Sequence, residues 1–127
     1  MDGGLKIIMR KIFKEIPLSI EEKDMKFRMK KLDAFSGVKV LKMISGSSAG
    51  TLQEMIFSLP EWEMESLMKV CLKHCEVMLP AGWIVVYDDG CWGIPEMETE
   101  TMVCFRLMQE EIAWSLEDFF GEGGSAS

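Results

Sequence analysis

Histidine is nearly missing from this sequence: His74 is the one imidazole in 127 residues. No apolar stretch approaches the ~18 residues that a membrane-spanning helix requires, which excludes a simple helical membrane protein. No Gly-rich phosphate loop is present, and Asp88-Asp89-Gly90 is too short for a calcium loop, which needs a bidentate Glu at its far end. No internal repeat is visible. Positive charge is scarce beyond residue 42: residues 43–127 hold three Lys/Arg against fifteen Asp/Glu. Residues 1–42 hold eleven against six. The net of −7 therefore hides a basic first third and an acidic remainder. Such polarity suits head-to-tail or partner-directed association better than chemistry on a small substrate. With no recognisable catalytic motif, the sequence favours binding over catalysis.

What is present is enough for one core. The apolar fraction is 48%, with twelve Met, a soft residue suited to repacking cores and to surfaces that accept several partners. The length predicts a single domain over 1–120 and a Gly/Ser-rich flexible tail over 121–127. Lys6, Arg10, Lys11 and Lys14 interrupt the apolar N-terminus, which does not read as a signal peptide. The four Cys then belong to a reducing cytoplasm.

Residues 5–16 mix helical and strand signals. Ser19 and Glu22 have capping-box spacing, predicting a helical turn over 20–24. Met25, Phe27 and Met29 alternate with Lys26, Arg28 and Lys30, predicting a half-buried strand over 25–31. Asp33 is placed to cap a helix with Ala34, Val38, Leu41 and Met43 inward. A short helix over 50–58 follows, then a longer one from Glu61 to Met78 with Met64, Leu67, Met68, Cys71, Leu72 and Cys75 as its buried stripe. Residues 83–94 read as a β-hairpin turning at Asp88-Asp89-Gly90, with Gly90 at positive φ. Thr99 caps a last helix, Glu100 to Phe120, with Met102, Phe105, Met108 or Gln109, Ile112 and Leu116 inward. The expected fold is α+β and mainly α-helical, with an N-terminal strand and a β-hairpin before a long C-terminal helix.

The candidate chemistry is thin. Cys71, His74 and Cys75 have helical spacing that lets two of them share an ion, and Cys91 and Cys104 could complete a zinc site. The tight-turn spacing of zinc ribbons is absent, and both helix Cys fall on the apolar stripe, so buried thiols explain them as well. A nucleophilic Cys71–His74 pair would lack an oxyanion hole inside a helix. The carboxylates Glu96, Glu98, Glu100, Glu110, Glu111, Glu117 and Asp118 read as solvated or dipole-opposing. On the basic strand Phe27 and the cations face opposite ways, and the chain is acidic, so nucleic acid is not an expected partner. No membrane partner and no cofactor are expected. Trp62, Trp92 and Trp114 are the candidate partner-binding residues, since aromatic anchors dominate many interfaces.

The run Phe27-Arg28-Met29-Lys30-Lys31-Leu32-Asp33-Ala34-Phe35-Ser36-Gly37 resembles the strand-to-helix transition of tail assembly chaperones from long-tailed bacteriophages and prophages. The hairpin near Trp83–Ile94 and the phrase Asp118-Phe119-Phe120 are also similar, so that the resemblance covers residues 25–120. It implies an α-rich α+β fold without a catalytic site, binding to a tape-measure protein during tail morphogenesis in the host cytoplasm, self-association, and a frameshifted long form beginning in the tail. The alternatives are a small zinc- or thiol-dependent protein and a regulatory adaptor that binds a host protein.

Overall fold

A computed structural model describes residues 13–46 and 50–119. The expectations for residues 1–12, for 47–49 of the Ser-rich loop, for Phe120 and for the tail 121–127 lie outside the described residues. The chain opens with two strands, β1 (Phe13–Ile20) and β2 (Lys23–Lys30), followed by the helices α1 (Ala34–Ser45), α2 (Leu52–Phe57) and α3 (Glu61–Lys73). Strands β3 (Cys75–Leu79) and β4 (Gly82–Val85) come next, then a miniature hairpin, β5 (Tyr87–Asp88) and β6 (Cys91–Trp92). A 3₁₀ turn at Pro95–Thr99 leads into α4 (Thr101–Ser115). The main sheet is antiparallel in the order β1-β2-β3-β4, and β5-β6 is separate.

This corrects the expected fold class. The protein is a mixed structure, with a four-stranded antiparallel sheet and a separate two-stranded one beside the helices, and the strands come first as a pair. The last helix stops at Ser115 and is 15 residues long. Three local misreadings explain the difference. Residues 20–24 do not form a helical turn. Glu21 and Glu22 sit at φ 51° and 64°, the left-handed pair of a tight hairpin turn. Such turns normally announce themselves with Asn-Gly; two Glu carry no such signal and cost about 1–2 kcal/mol each. The helix expected to reach Met78 ends at Lys73, because Cys75, Val77 and Leu79 alternate as a strand and Pro80-Ala81 turns it into β4, Leu79 pairing with Gly82. Cys75 misleads because it also continues the helical stripe of Cys71. The first strand of the hairpin expected over 83–94 breaks at Val86. Its first part pairs back onto β3, and only Tyr87 and Asp88 pair with Trp92 and Cys91. The expected turn geometry is present there, with Asp89 at φ 50° and Gly90 at φ 86°.

Register assigns the faces. Ile16, Phe27, Val77 and Ile84 lie opposite one another on one face of the sheet. Phe27, Met29, Cys75 and Val77 are fully buried there, with Leu72 of α3 and Cys104 and Leu107 of α4. A second apolar cluster lies between the helices: Val40 and Ile44 of α1, Ile56 of α2, Leu67 and Cys71 of α3, Met108 and Ile112 of α4. Helices α3 and α4 therefore form a middle layer with core on both sides. That position turns α4 away from the expected stripe, burying Cys104, Leu107 and Glu111 and leaving Met102 74% exposed. On α1 the inward residues are Gly37, Val40 and Ile44, whereas Val38 faces solvent.

The outer face of the sheet is drawn together by Arg28. Its guanidinium lies between the rings of Phe13 and Trp83, 4.2 and 4.4 Å from their centroids, and pairs with Glu76. One side chain of β2 thus touches residues from β1, β3 and β4. Its charge is engaged within the sheet. Pro17, with no N–H to donate, sits in the edge strand β1, where it discourages further strand pairing.

The bend at Val86 is held by two backbone bonds, Val86 N–H to Cys75 O and Gly93 N–H to Val86 O, both 2.8 Å. The second crossing is so close that a Cβ on Gly93 would overlap the carbonyl of Val85. Gly93→Ala is expected to cost about 3 kcal/mol and to lower the melting temperature by roughly 10 °C. Thermal denaturation followed by circular dichroism measures this, with Gly46→Ala, where nothing lies within 4 Å of the added methyl, as the control.

Candidate interaction surface

Large apolar side chains left in solvent are the first sign of a contact surface. Phe35 and Val38 project from the outer side of α1, 89% and 64% exposed. Trp62, in the first turn of α3, is 69% exposed. The best-formed group lies where α2 and α4 meet β1. Phe57, at the end of α2, is more than half exposed and stacks on Phe105 of α4, ring centroids 5.2 Å apart and planes 24° from parallel. Beside the stack runs a groove of about 310 Å³ with Leu18, Met102, Val103 and Phe105 as its apolar lining and Ser19, Gln53, Arg106 and Gln109 as its polar lining. The local sequence places these residues simply. Thr51 caps α2 with a full capping box, accepting from the Glu54 N–H while Glu54 accepts from the Thr51 N–H. That fixes a six-residue helix that buries Ile56 and turns Phe57 outward.

The three tryptophans singled out from sequence part company. Trp62 is exposed and makes no recorded polar contact among the described residues. Trp92 is half-buried on β6, its ring edge-on to Tyr87 at 4.8 Å. Trp114 packs against the sheet-side core and carries the Lys31 amine 5.2 Å from its ring centre. They do not form one patch. Phe57, Phe105 and Met102 were assigned to the core side or not singled out at all. Only the tertiary position of α4 reveals them.

The cysteine–histidine set is also dispersed. Cys71, Cys75 and Cys104 are buried, whereas Cys91 is exposed on the β5–β6 hairpin. Among the described residues, no three His, Cys, Asp or Glu side chains converge in a way that could hold a metal ion. Burial pushes the thiols of Cys71 and Cys75 well above the usual range, with the nearby Glu111 adding to the effect, and raises Cys104 to about 11. His74 does not face Cys71. Its Nδ1–H donates to the Val70 carbonyl at 2.9 Å, and its Nε2 lies 3.2 Å from Asp33. Asp33 itself caps α1; the hydroxyl and N–H of Ser36 hold its carboxyl down at about 2. The imidazole thus ties the end of α3 to the start of α1.

Glu111 is the polar residue that sequence reading misplaced. Expected on a solvated face, it is fully buried on α4. Its Oε2 accepts from the Ser115 hydroxyl at 3.1 Å, and Ser115 Oγ accepts from the Leu32 N–H at 2.9 Å. Oε1 has no hydrogen-bond partner. Burial raises the carboxyl to about 8, against weaker opposing pulls from Ser115 and Lys31. The only sequence signal was its place at i+4 from Leu107 and i−4 from Ser115, on the side of α4 that tertiary packing turned inward.

Two measurements check this picture. A thiol reagent should modify one Cys per native chain, and none in Cys91→Ser, but all four after denaturation. Glu111 should make the fold less stable as pH rises. Its folded proton is held until about pH 8, whereas the unfolded chain releases it near 4.5. Between those values the native state holds more protons than the unfolded state, and stability falls by up to about 1.4 kcal/mol per pH unit. Glu111→Gln is expected to flatten that slope in denaturant titrations between pH 5 and 8, and to exceed the parent by about 2 kcal/mol near neutrality.

Among the described residues, no helix is long and apolar enough to cross a membrane. Comparison of the chain with protein-family models, with curated proteins and with solved structures found no match.

Proposed function

We propose that this protein is a non-enzymatic binding module that works in the cytoplasm and receives a helical segment of another polypeptide in the groove beside the Phe57–Phe105 stack. The observation that carries the reading is the stack itself. Two aromatic rings and a Met are left accessible on a surface where folding could have buried them, and each removes apolar area from water only when a partner arrives. The groove combines apolar side chains with two amides, a hydroxyl and Arg106, which suits an amphipathic helix with anchors at i, i+3, i+4 and i+7. Met102 adds a side chain able to repack against anchors of different shape. The resemblance of Phe27–Gly37 to tail assembly chaperones supplies the specific partner in this reading: a tape-measure protein bound during tail morphogenesis. The strand-to-helix step of that run, β2 ending at Lys30 and α1 beginning at Ala34, agrees with the resemblance in this segment.

Co-expression with a tape-measure protein, followed by affinity capture, tests the reading. The wild-type chain should retain the partner. Phe57→Ser with Met102→Glu, both at exposed positions, should reduce retention about tenfold or more while leaving the melting temperature within a few degrees. Absence of capture by the wild-type chain, or capture indifferent to the double substitution, would overturn it.

A further inference from the structure

A second groove lies between α3 and the β5–β6 hairpin. We propose that it binds a cationic side chain, Lys or Arg, presented by a partner polypeptide. The site is independent of the Phe57–Phe105 groove and does not rest on the function proposed above.

The groove encloses about 300 Å³. Met68 and Leu72 of α3 supply an apolar floor, and the edge-on pair Tyr87–Trp92 supplies a wall. Aliphatic stems of Lys and Arg pack well on such surfaces, and their charged heads are drawn to aromatic faces. Two carboxylates stand at the mouth, Glu65 from α3 and Glu98 from the 3₁₀ turn. Their states differ. Glu65 is engaged by Lys69 at 2.9 Å, one turn along α3. Glu98 makes no ion pair or hydrogen bond among the described residues. The hydroxyl of Tyr87 and the indole N–H of Trp92 also make no hydrogen bond among the described residues. Apolar floor, aromatic wall and one unneutralised carboxylate form a combination that a hydrophobic or anionic ligand would not use fully. A cation with an aliphatic stem uses all three.

Lys69 sharpens the assignment. It lines the groove, and its ammonium is held charged by Glu65, with Tyr87 also nearby. The protein's own cation thus lines the space an incoming one would take and engages one of its two carboxylates. The acidic composition of residues 43–127 extends the attraction beyond the groove and makes it sensitive to salt.

The test uses the whole chain labelled with ¹⁵N and a tripeptide probe, acetyl-Gly-Arg-Gly-amide, with acetyl-Gly-citrulline-Gly-amide as a neutral match. The indole N–H signal of Trp92, identified by its loss in Trp92→Phe, reports occupancy. The Arg probe should shift that signal and the backbone amides of the Tyr87–Trp92 hairpin in a saturable way, and the citrulline probe should not. Glu98→Gln should weaken the Arg probe about threefold. Lys69→Gln should strengthen it by a similar factor, because it frees Glu65 and removes the resident cation. Opposite responses to two surface substitutions cannot arise from a general loss of structure. Equal shifts by both probes, or no saturable shift with Arg, would overturn the proposal, as would weaker binding in Lys69→Gln.

Discussion

The packing of α3 against α4 is the constraint on which the rest of the structure depends. Each helix faces core on two sides. Leu72 and Cys104 serve the sheet, while Leu67, Cys71, Met108 and Ile112 serve the layer of α1 and α2. Neither apolar cluster closes without this pair, and a fully buried Leu or Ile contributes about 2 kcal/mol by removal from water. Two-sided burial also leaves few positions on α4 for outward display. Met102 and Phe105 lie toward its start, beside α2, which explains why the apolar groove opens at that end of the helix.

Polar contacts set the connections between layers. The crossover from β2 to α1 is three residues long, Lys31 to Asp33, and each is fastened. Lys31 reaches Glu117 and the Trp114 ring, Leu32 donates to Ser115, and Asp33 meets both Ser36 and His74. Ser115 in turn leans on buried Glu111. A carboxyl with one satisfied oxygen inside an apolar layer is costly in its charged form, and the protein keeps it neutral at ordinary pH. The same logic separates the thiols. Those inside are held protonated by burial, and the exposed one is Cys91 on the β5–β6 hairpin.

Legibility in the sequence varied by element. The strand expected over 25–31 followed from strict alternation, and the structure extends it back to Lys23, while Asp33 marked a helix start through local side-chain bonds. The β1–β2 turn was hidden because Glu21-Glu22 lacks the residues that tolerate left-handed backbone. The α3–β3 boundary was hidden because Cys71 and Cys75 fit both a helical and a strand rhythm. Of the candidate contact residues, Trp62 and Trp92 could be singled out as aromatic anchors, but Phe105 and Met102 looked like ordinary members of the apolar stripe of the last helix and Phe57 carried no signal.

The sequence by itself determined what depends on neighbours within a few residues: strand alternation in β2, the cap of α1, the Asp88–Gly90 turn, and a charge divided between a basic beginning and an acidic remainder. Only the tertiary structure decided which way α4 faces, that β4 returns to β3, that Glu111 is inside and that Met102 is outside. The physical reason is that a helix with apolar residues on more than one side has several nearly equivalent orientations. The choice among them is made by packing against residues distant in the chain, whose positions no local pattern encodes.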